Sequence, residues 1–232
     1  MNTKSLIQSL NNLADPIRAE KTKRFFKSGK NQYSENDQFI GISMPALREQ
    51  VKKHKDLPLT ICIELLPSPI HEIRMFALLI MVAEFKRGGQ KTKSVIYHAY
   101  LDNRQWVNNW DLVDCSCYFI VGPFLEKTSR TILVELAQSE SFWDRRIAMV
   151  STYHFIKQND FADTFRLAEL LQNDPQDLIQ KAVGWMLKEV GKRDENQLKD
   201  FLEPRFQQMP RTMLRTAIEK LPAAERRFYL AR

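Results

Sequence analysis

The sequence predicts an all-α protein whose helices form stacked hairpins, the architecture known as an α-solenoid. Apolar residues recur at helical spacing along nearly the whole chain, and the sustained apolar–polar alternation of strands is absent. The longer apolar helices recur about every 33 to 38 residues, which is typical of helical repeat proteins. With only 7 glycines and 10 prolines in 232 residues, a turn-rich β-sandwich is not expected.

Capping residues mark the helices of the first half of the chain. Asp15 followed by Pro16 is typical of an N-cap and a first helical residue, and this helix is expected to run to about Gly29. A polar, turn-like segment follows. A strongly apolar helix is expected over 71–87, with a glycine pair as its stop. The remaining helices of this half are predicted to begin at Pro45, Thr60 and Thr92.

The second half continues the pattern. A helix from near Asn109 is expected to end before Gly122 and Pro123, and Asp174 with Pro175 is expected to start a helix that ends near Gly191. The other predicted helices of this half cover 128–138, 142–157 and 161–172, before two or three short ones. Because each hairpin buries its apolar face only against its neighbours, we expect one domain over 1–232 with a concave face.

The charge balance suits a polyanionic partner. Lys and Arg number 35 against 28 Asp and Glu, a net charge of +7. Two stretches concentrate the excess: residues 18–30 have a local net charge of +5, and residues 203–232 one of +4. Lysines and arginines of this kind contact phosphates, although a solvated helix face is the simpler interpretation for some of them.

Cysteine content and hydropathy indicate a cytoplasmic protein. The three cysteines, Cys62, Cys115 and Cys117, cannot all pair and do not resemble a disulfide scaffold. No signal peptide is evident, and the most apolar stretch, residues 75–83, is less than half of the roughly 20 residues that a membrane span needs.

A tryptophan and an aspartate lie off the apolar face of the helix expected from Asn109. At about 100° per residue, Leu112 and Val113 belong to the buried stripe, whereas Trp110 and Asp114 lie on the opposite side, one turn apart. The alternative is that Trp110 packs on a neighbouring helix and Asp114 forms an ordinary ion pair.

Two later segments raise the same question. Trp185 lies about 120° from the centre of its helix's apolar stripe, one turn from Lys181 and Lys188. There it either stacks on a sugar or base while the lysines meet phosphates, or it fills a groove between hairpins. Trp143 is expected in the core, whereas Arg145 and Arg146 lie off the stripe, either solvated or facing an anion.

Familiar cofactor and metal motifs are absent from the sequence. It has no HExxH, Walker A, GxSxG or dinucleotide-binding glycine pattern, and its four histidines are scattered without metal-ligand spacing. Cys115 and Cys117 point about 200° apart on a helix and cannot chelate one metal together. We therefore expect neither a metal nor a cofactor, so that any catalysis depends on carboxylate and aromatic groups.

Five segments of the chain form a recognisable set: AEKTKRFFK (19–27), GISMPALRE (41–49), NNWDLVD (108–114), FWDRRIA (142–148) and IQKAVGW (179–185). Together, in this order and spacing, they resemble the AlkD-like DNA alkylation repair glycosylases. The match runs from roughly Leu6 to Arg227, and the family fold is a HEAT-like α-solenoid.

The resemblance implies that the protein excises positively charged N3- or N7-alkylpurines from duplex DNA by hydrolysing the N-glycosidic bond. It also implies roles for individual residues. Trp110 and Trp185 line the deoxyribose, Asp114 is the catalytic carboxylate, and Arg146 faces DNA on a concave basic surface. Phe25 falls where the family commonly has tyrosine, so a hydroxyl is missing there.

The chemistry fits these residue types. A cationic alkylpurine leaves as a neutral base, and the remaining oxocarbenium-like sugar is stabilised by a carboxylate and by tryptophan faces. A monomer is the simplest form for this activity. Two alternatives stay open: a non-catalytic protein that recognises DNA structure or damage, and a protein-binding scaffold. A pure DNA binder, however, gains nothing from an acid on its contact face.

Overall fold

The computed structural model describes residues 3–231, and this part of the chain is helical without a β-strand. The predicted all-α class is therefore confirmed. The helices of the first half are α1 (Thr3–Asn11), α2 (Pro16–Phe25), α3 (Met44–Lys53), α4 (Leu59–Leu65), α5 (His71–Arg87), α6 (Gln90–Asp102) and α7 (Trp110–Asp114), with a 3-10 turn at Arg104–Trp106. Those of the second half are α8 (Cys117–Leu125), α9 (Thr131–Ala137), α10 (Phe142–Ser151), α11 (Tyr153–Ile156), α12 (Ala162–Leu170), α13 (Asp177–Gly191), α14 (Glu195–Leu202), α15 (Arg211–Ala217) and α16 (Ala223–Leu230).

The chain divides into two compact units, one up to Ser116 and the other from Cys117. In the first unit, α5 is the central helix, and α3, α4, α6 and α7 pack around it. Most of α5 is buried on all sides, which is why its apolar residues do not form a single stripe. The expectation of one domain over 1–232 stays a prediction.

The second unit contains the stacked hairpins that the repeat spacing predicts. Helices α9 and α10 pack on each other, as do α12 and α13. The second helix of each hairpin also packs on the second helix of the next, in the order α10, α13 and α15, while α9 packs on α12. Helices α10, α13 and α15 begin at residues 142, 177 and 211, close to the predicted starts at 142, 175 and 210.

Several predicted helix ends are found where the sequence indicates them. Asp15 caps α2, its carboxylate accepting from the Arg18 amide at 3.0 Å, and Pro16 is the first helical residue. Helix α5 has the predicted bounds, with Gly88 as its C-cap. Helix α2 ends at Phe25, earlier than the expected Gly29.

The helix expected from Asn109 to Gly122 is wrong as a single element. It is divided at Cys115 and Ser116, where the Ser116 hydroxyl bonds the Leu112 carbonyl at 2.5 Å. Helix α8 then continues through Gly122 and Pro123. Gly122 is needed for close packing and not as a stop, because a Cβ there would lie 2.7 Å from the Ser151 carbonyl oxygen.

Three further boundaries differ from the prediction. Thr60 lies inside α4 and does not cap it. The helix expected over 142–157 is divided at Thr152, whose hydroxyl bonds the Met149 carbonyl at 2.7 Å. Helix α13 begins at Asp177 because Asp174 forms a turn instead of an N-cap, its carboxylate accepting from the Gln176 amide at 2.8 Å.

Two results bear on the expectations from composition. Cys62, Cys115 and Cys117 are free thiols. Within 3–231, none of the helices combines the length and the hydropathy that a membrane crossing requires.

We predict that Gly184→Ala destabilises the protein by about 1 to 3 kcal/mol, because α13 and α15 leave no room for a methyl group. A Cβ at Gly184 would lie 2.5 Å from the Met213 carbonyl oxygen, and backbone cannot give way as a side chain can. Thermal unfolding measures the effect. Gly89→Ala is the matched control, since a Cβ there meets nothing within 4 Å. Equal stability of both variants would contradict the close packing.

Candidate functional site

Trp110 and Asp114 are the first and last residues of α7, a helix of five residues in the first unit. Leu112 and Val113 are fully buried, whereas Trp110 and Asp114 are each half-buried. The structure therefore places an indole and a carboxylate one helical turn apart, off the buried face. The Asn109 side chain caps this helix by accepting from the Trp110 amide at 2.8 Å.

A stack of aromatic rings holds the indole. Trp110 stacks on Phe26 with ring centroids 5.2 Å apart and an angle of 20° between the planes. Phe39 stacks on Phe26 at 5.2 Å and 18°. Phe25 meets Trp110 edge-on at 5.7 Å, and 67% of its surface is exposed. The structure thus brings together two predicted site residues, Phe25 and Trp110, and leaves the Phe25 ring open to solvent.

A buried polar network lies beneath the start of α7, centred on His71 of α5. His71 Nε2 is 2.8 Å from Asp111 Oδ2, and His71 Nδ1 is 3.2 Å from Asp37 Oδ2. Asp37 belongs to the segment between α2 and α3, and Asp111 to α7. One imidazole ring therefore connects the chain that follows Phe26 with the helix that carries Trp110.

The same network binds the two asparagines before Trp110. Arg74 donates to Asn108 Oδ1 at 2.6 Å and to Asp37 Oδ1 at 2.5 Å. Asn109 Nδ2 donates to Asp37 Oδ2 at 2.8 Å and to Ser34 Oγ at 2.6 Å. Residues on both sides of Trp110 are thus tied by hydrogen bonds to α5 and to the segment after α2.

The network raises the pKa of His71 and lowers the pKa of Asp37. Burial lowers the pKa of His71, but the charge of Asp111 and the hydrogen bonds to both aspartates outweigh it and raise the pKa to about 9. Burial raises the pKa of Asp37, yet the hydrogen bond from His71 and the charge of Arg74 hold it below its usual value. His71 is therefore an imidazolium between carboxylates at neutral pH.

Cys115 adjoins the candidate site but is not a nucleophile at neutral pH. Burial, followed by the charges of Asp111 and Asp114, raises the pKa of its thiol to about 11, and the opposing charge of Arg48 only partly offsets them.

The basic stretch of α2 and the loop after it faces solvent. Arg18 is 3.6 Å from Asp15, and Lys23 is 2.6 Å from Glu20. Of the second basic stretch, Arg232 lies outside the described residues. The exposed basic side chains of the first stretch are Arg18, Lys21, Lys23, Arg24, Lys27 and Lys30.

In the second unit, Trp185 of α13 is half-buried. Its Nε1 donates to Glu189 Oε1 at 3.1 Å, and its ring lies 6.2 Å from that of Tyr153. Both lysines predicted beside it are paired with acids: Lys181 Nζ is 2.7 Å from Asp177, and Lys188 Nζ is 2.9 Å from Glu219. Lys181 is exposed, whereas Lys188 is largely covered.

The two arginines of α10 are neither solvated nor on an open face. Arg146 is buried, with 5% of its surface exposed, and it donates to the Leu178 carbonyl at 2.6 Å. Arg145 Nε is 2.6 Å from Asp174 Oδ2. The predicted position of Arg146 on an accessible surface is therefore wrong: the side chain instead ties α10 to the start of α13. Trp143 lies in the core, as expected.

Sequence reasoning missed Asp37, His71, Arg74 and Asp111. Their partners lie 34 to 72 residues away in sequence, and no local spacing indicates such bonds. Within residues 3–231, no group of three or more His, Cys, Asp and Glu side chains is placed to hold a metal ion.

The stacked helical hairpins, the exposed basic helix and the adjoining indole and carboxylate define a helical repeat protein with features suited to nucleic acid. The chain belongs to a family of DNA alkylation repair enzymes, whose sequence profile, described as "DNA alkylation repair enzyme", matches residues 6–221. The predicted family is confirmed, and DNA is the substrate that membership implies.

One solved structure supports the fold assignment. The chain is similar to a protein described as "Predicted DNA alkylation repair enzyme from Enterococcus faecalis", with a TM-score of 0.72 and 18% identity over 90% of this chain and 97% of that one. This likeness shows the fold and agrees with the predicted α-solenoid. None of the curated proteins matches the chain. The concave basic face stays a prediction.

We predict that His71 makes stability depend on pH between about 6.5 and 9. Its folded pKa of about 9 lies above the ordinary value of 6.5, so its contribution is complete below pH 6.5 and is lost as the pH rises through 9. The shift corresponds to about 3 kcal/mol. Urea unfolding between pH 6 and 10 measures it.

His71→Gln should flatten this dependence. His154→Gln is the control, because burial lowers the pKa of His154 and places its titration below this range. A wild-type curve that does not fall between pH 6.5 and 9.5 would contradict the charged bridge.

We predict that Cys115 reacts slowly with iodoacetamide at pH 8, because the raised pKa keeps it a thiol. Asp114→Asn removes one of the charges that raise this pKa, so alkylation at pH 8 should be faster. Peptide-resolved mass spectrometry measures the rate, with buried Cys62, whose pKa is raised to about 12, as the internal reference. An unchanged rate in Asp114→Asn would show that Asp114 carries no charge acting on Cys115.

Proposed function

We propose that this protein is a DNA glycosylase that hydrolyses the N-glycosidic bond of positively charged N3- or N7-alkylpurines in duplex DNA. The observation that carries the proposal is the pair on α7: Trp110 and Asp114, half-buried and one turn apart. The exposed Phe25 ring against Trp110 adds a second aromatic surface to the same site. Family membership supplies DNA alkylation repair as the general activity.

The reaction needs little acid catalysis. The bond between C1′ and the purine nitrogen breaks, and its electron pair neutralises the positive charge of the base, which leaves. The sugar is then an oxocarbenium-like cation, to which water adds at C1′ with loss of a proton. Asp114, as a carboxylate, stabilises the cation and orients the water, and the Trp110 face attracts the same charge.

The resemblance assigns the second tryptophan to Trp185. Its half-buried indole, with Nε1 bonded to Glu189, is fixed in orientation within the second unit. In the proposal Trp185 lines the deoxyribose as Trp110 does. Phe25 contacts the DNA through its ring alone, because it lacks the hydroxyl of a tyrosine.

The exposed basic side chains of α2 and the following loop fit phosphate contacts better than Arg146 and Lys188 do. Six of them are exposed, whereas Arg146 is buried and Lys188 is covered by its ion pair. We therefore assign backbone contacts to residues 18–30 and to Lys181, and a supporting role to Arg146 and Lys188. Such contacts supply affinity without sequence preference. The monomeric state, the absence of a cofactor and the cytoplasmic location stay predictions.

We predict that Asp114→Asn lowers the single-turnover rate of base release by about a hundredfold to a thousandfold, the usual cost of removing one preorganised electrostatic group. Release of 3-methyladenine and 7-methylguanine from alkylated duplex DNA measures the rate. Affinity for DNA should change little. Asp102→Asn, which removes an exposed carboxylate at the end of α6, is the control and should keep the wild-type rate.

Two outcomes would replace the proposal. If the wild-type protein binds DNA in a salt-dependent way but releases no base, it is a non-catalytic DNA-binding protein. If the wild-type protein shows no salt-dependent affinity for DNA, it is a scaffold for other proteins. The slope of log affinity against log salt decides between these two, since it is about −0.9 per phosphate neutralised.

A further inference from the structure

We propose that His71, bridged between Asp37 and Asp111, is a positioning residue that fixes the conformation of α7 and thereby the placement of Trp110 and Asp114. It does not touch DNA in this proposal, and it acts through the helix that carries the two site residues. Its consequence for base release rests on the function proposed above, whereas its consequence for the conformation of α7 does not.

Helix α7 cannot define its own geometry. It has five residues, about 7.5 Å of helix, and helices shorter than about 12 residues are marginal in water. Its N-cap from Asn109 satisfies one amide, and Leu112 and Val113 anchor one side. The orientation of the exposed side must therefore come from bonds to other elements.

The bond from His71 supplies one such constraint, beside the hydrogen bonds of Asn108 and Asn109 and the stacking of Trp110 on Phe26. Within residues 3–231, Asp111 Oδ1 is buried without a hydrogen-bond partner. The hydrogen bond between Asp111 Oδ2 and His71 therefore holds this side chain in place. A neutral imidazole has one N–H, and only the imidazolium donates from both nitrogens. Because both ring nitrogens face carboxylates, the bridge is complete only when His71 is charged.

The surroundings of His71 agree with that charge. Carboxylates face His71 from the segment after α2 and from α7. Arg74 lies one turn further along α5 and donates to Asp37. The neighbouring Glu72 carboxylate accepts a hydrogen bond from the Gly41 amide at 2.7 Å. The rings of Phe26 and Phe39 pack on the imidazole at 5.0 and 4.9 Å, and only 3% of the His71 surface is exposed. The raised pKa of about 9 is consistent with this geometry.

Hydrogen exchange tests the conformational part directly. In His71→Gln, the amides of residues 108–116 should exchange at least tenfold faster than in the wild type, as measured by mass spectrometry of the peptides that cover them. Met81→Ala is the matched control: it lies on the same helix, is fully buried, and lowers stability by cavity formation about 15 Å away. It should leave the exchange of these residues near the wild-type rate under conditions where both variants are folded.

Base release tests the functional part. His71→Gln should lower the single-turnover rate tenfold to a hundredfold with an unchanged KM for alkylated duplex, and His71→Phe, which donates no hydrogen bond, should lower it further. Met81→Ala should keep the wild-type rate at 20 °C despite its lower Tm. The wild-type rate should fall as the pH rises through 9, and that fall should be absent in His71→Gln.

The outcomes separate the two proposals. If residues 108–116 exchange no faster in His71→Gln than in the wild type, the positioning role is overturned, whatever the activity. If they exchange faster but wild-type protein releases no base, the positioning of α7 stands and the glycosylase proposal fails. If Met81→Ala opens the same residues to the same extent, His71 contributes only general stability and the inference is wrong.

Discussion

The bridge from Asp37 through His71 to Asp111 is the interaction on which the candidate site depends. It joins three parts of the first unit that are distant in sequence: the segment after α2, the central helix α5, and α7. A buried pair of carboxylates is costly unless cations compensate it, and His71 and Arg74 do so here. Because α7 is a single short helix, the position of its indole and carboxylate is a property of this network more than of the local sequence.

The aromatic stack adds a second, apolar constraint on the same helix. Phe26 stacks on both Phe39 and Trp110, so its burial fixes one face of the indole, and Phe25 meets the indole with an angle of 68° between the ring planes. Phe26 therefore packs in the core, whereas the adjacent Phe25 lies at the surface. These ring contacts need no hydroxyl at residue 25.

The sequence predicted those helix ends and helix faces that depend on interactions between residues close together in the chain. Helix α5 was predictable because a long apolar run ends at a glycine pair, and α2 because Asp15 and Pro16 form a complete start signal. The face of α7 that carries Trp110 and Asp114 also follows from helical periodicity. The break after α7 was not predicted, because the residues at the break, Cys115 and Ser116, include neither glycine nor proline. The sequence showed His71 only as a scattered histidine, since its partners are 34 and 40 residues away. Arg146 was expected on the surface, because periodicity does not show that the Leu178 carbonyl of a neighbouring helix accepts a hydrogen bond from it.

The basic side chains also divide into those whose position follows from the local sequence and those whose position depends on distant partners. The basic side chains that periodicity placed on α10 and α13 are largely engaged in holding helices together, whereas those of α2 extend into solvent. Helix α2 ends at Phe25, whose ring contacts Trp110, so the exposed cations and the indole are parts of one packed assembly in the first unit. In the proposed function, a phosphate held by α2 therefore determines where a sugar lies relative to α7. Under the proposed function, the contact between Phe25 and Trp110 couples the binding of DNA to base release, and a change that loosens α7 affects base release before it affects binding.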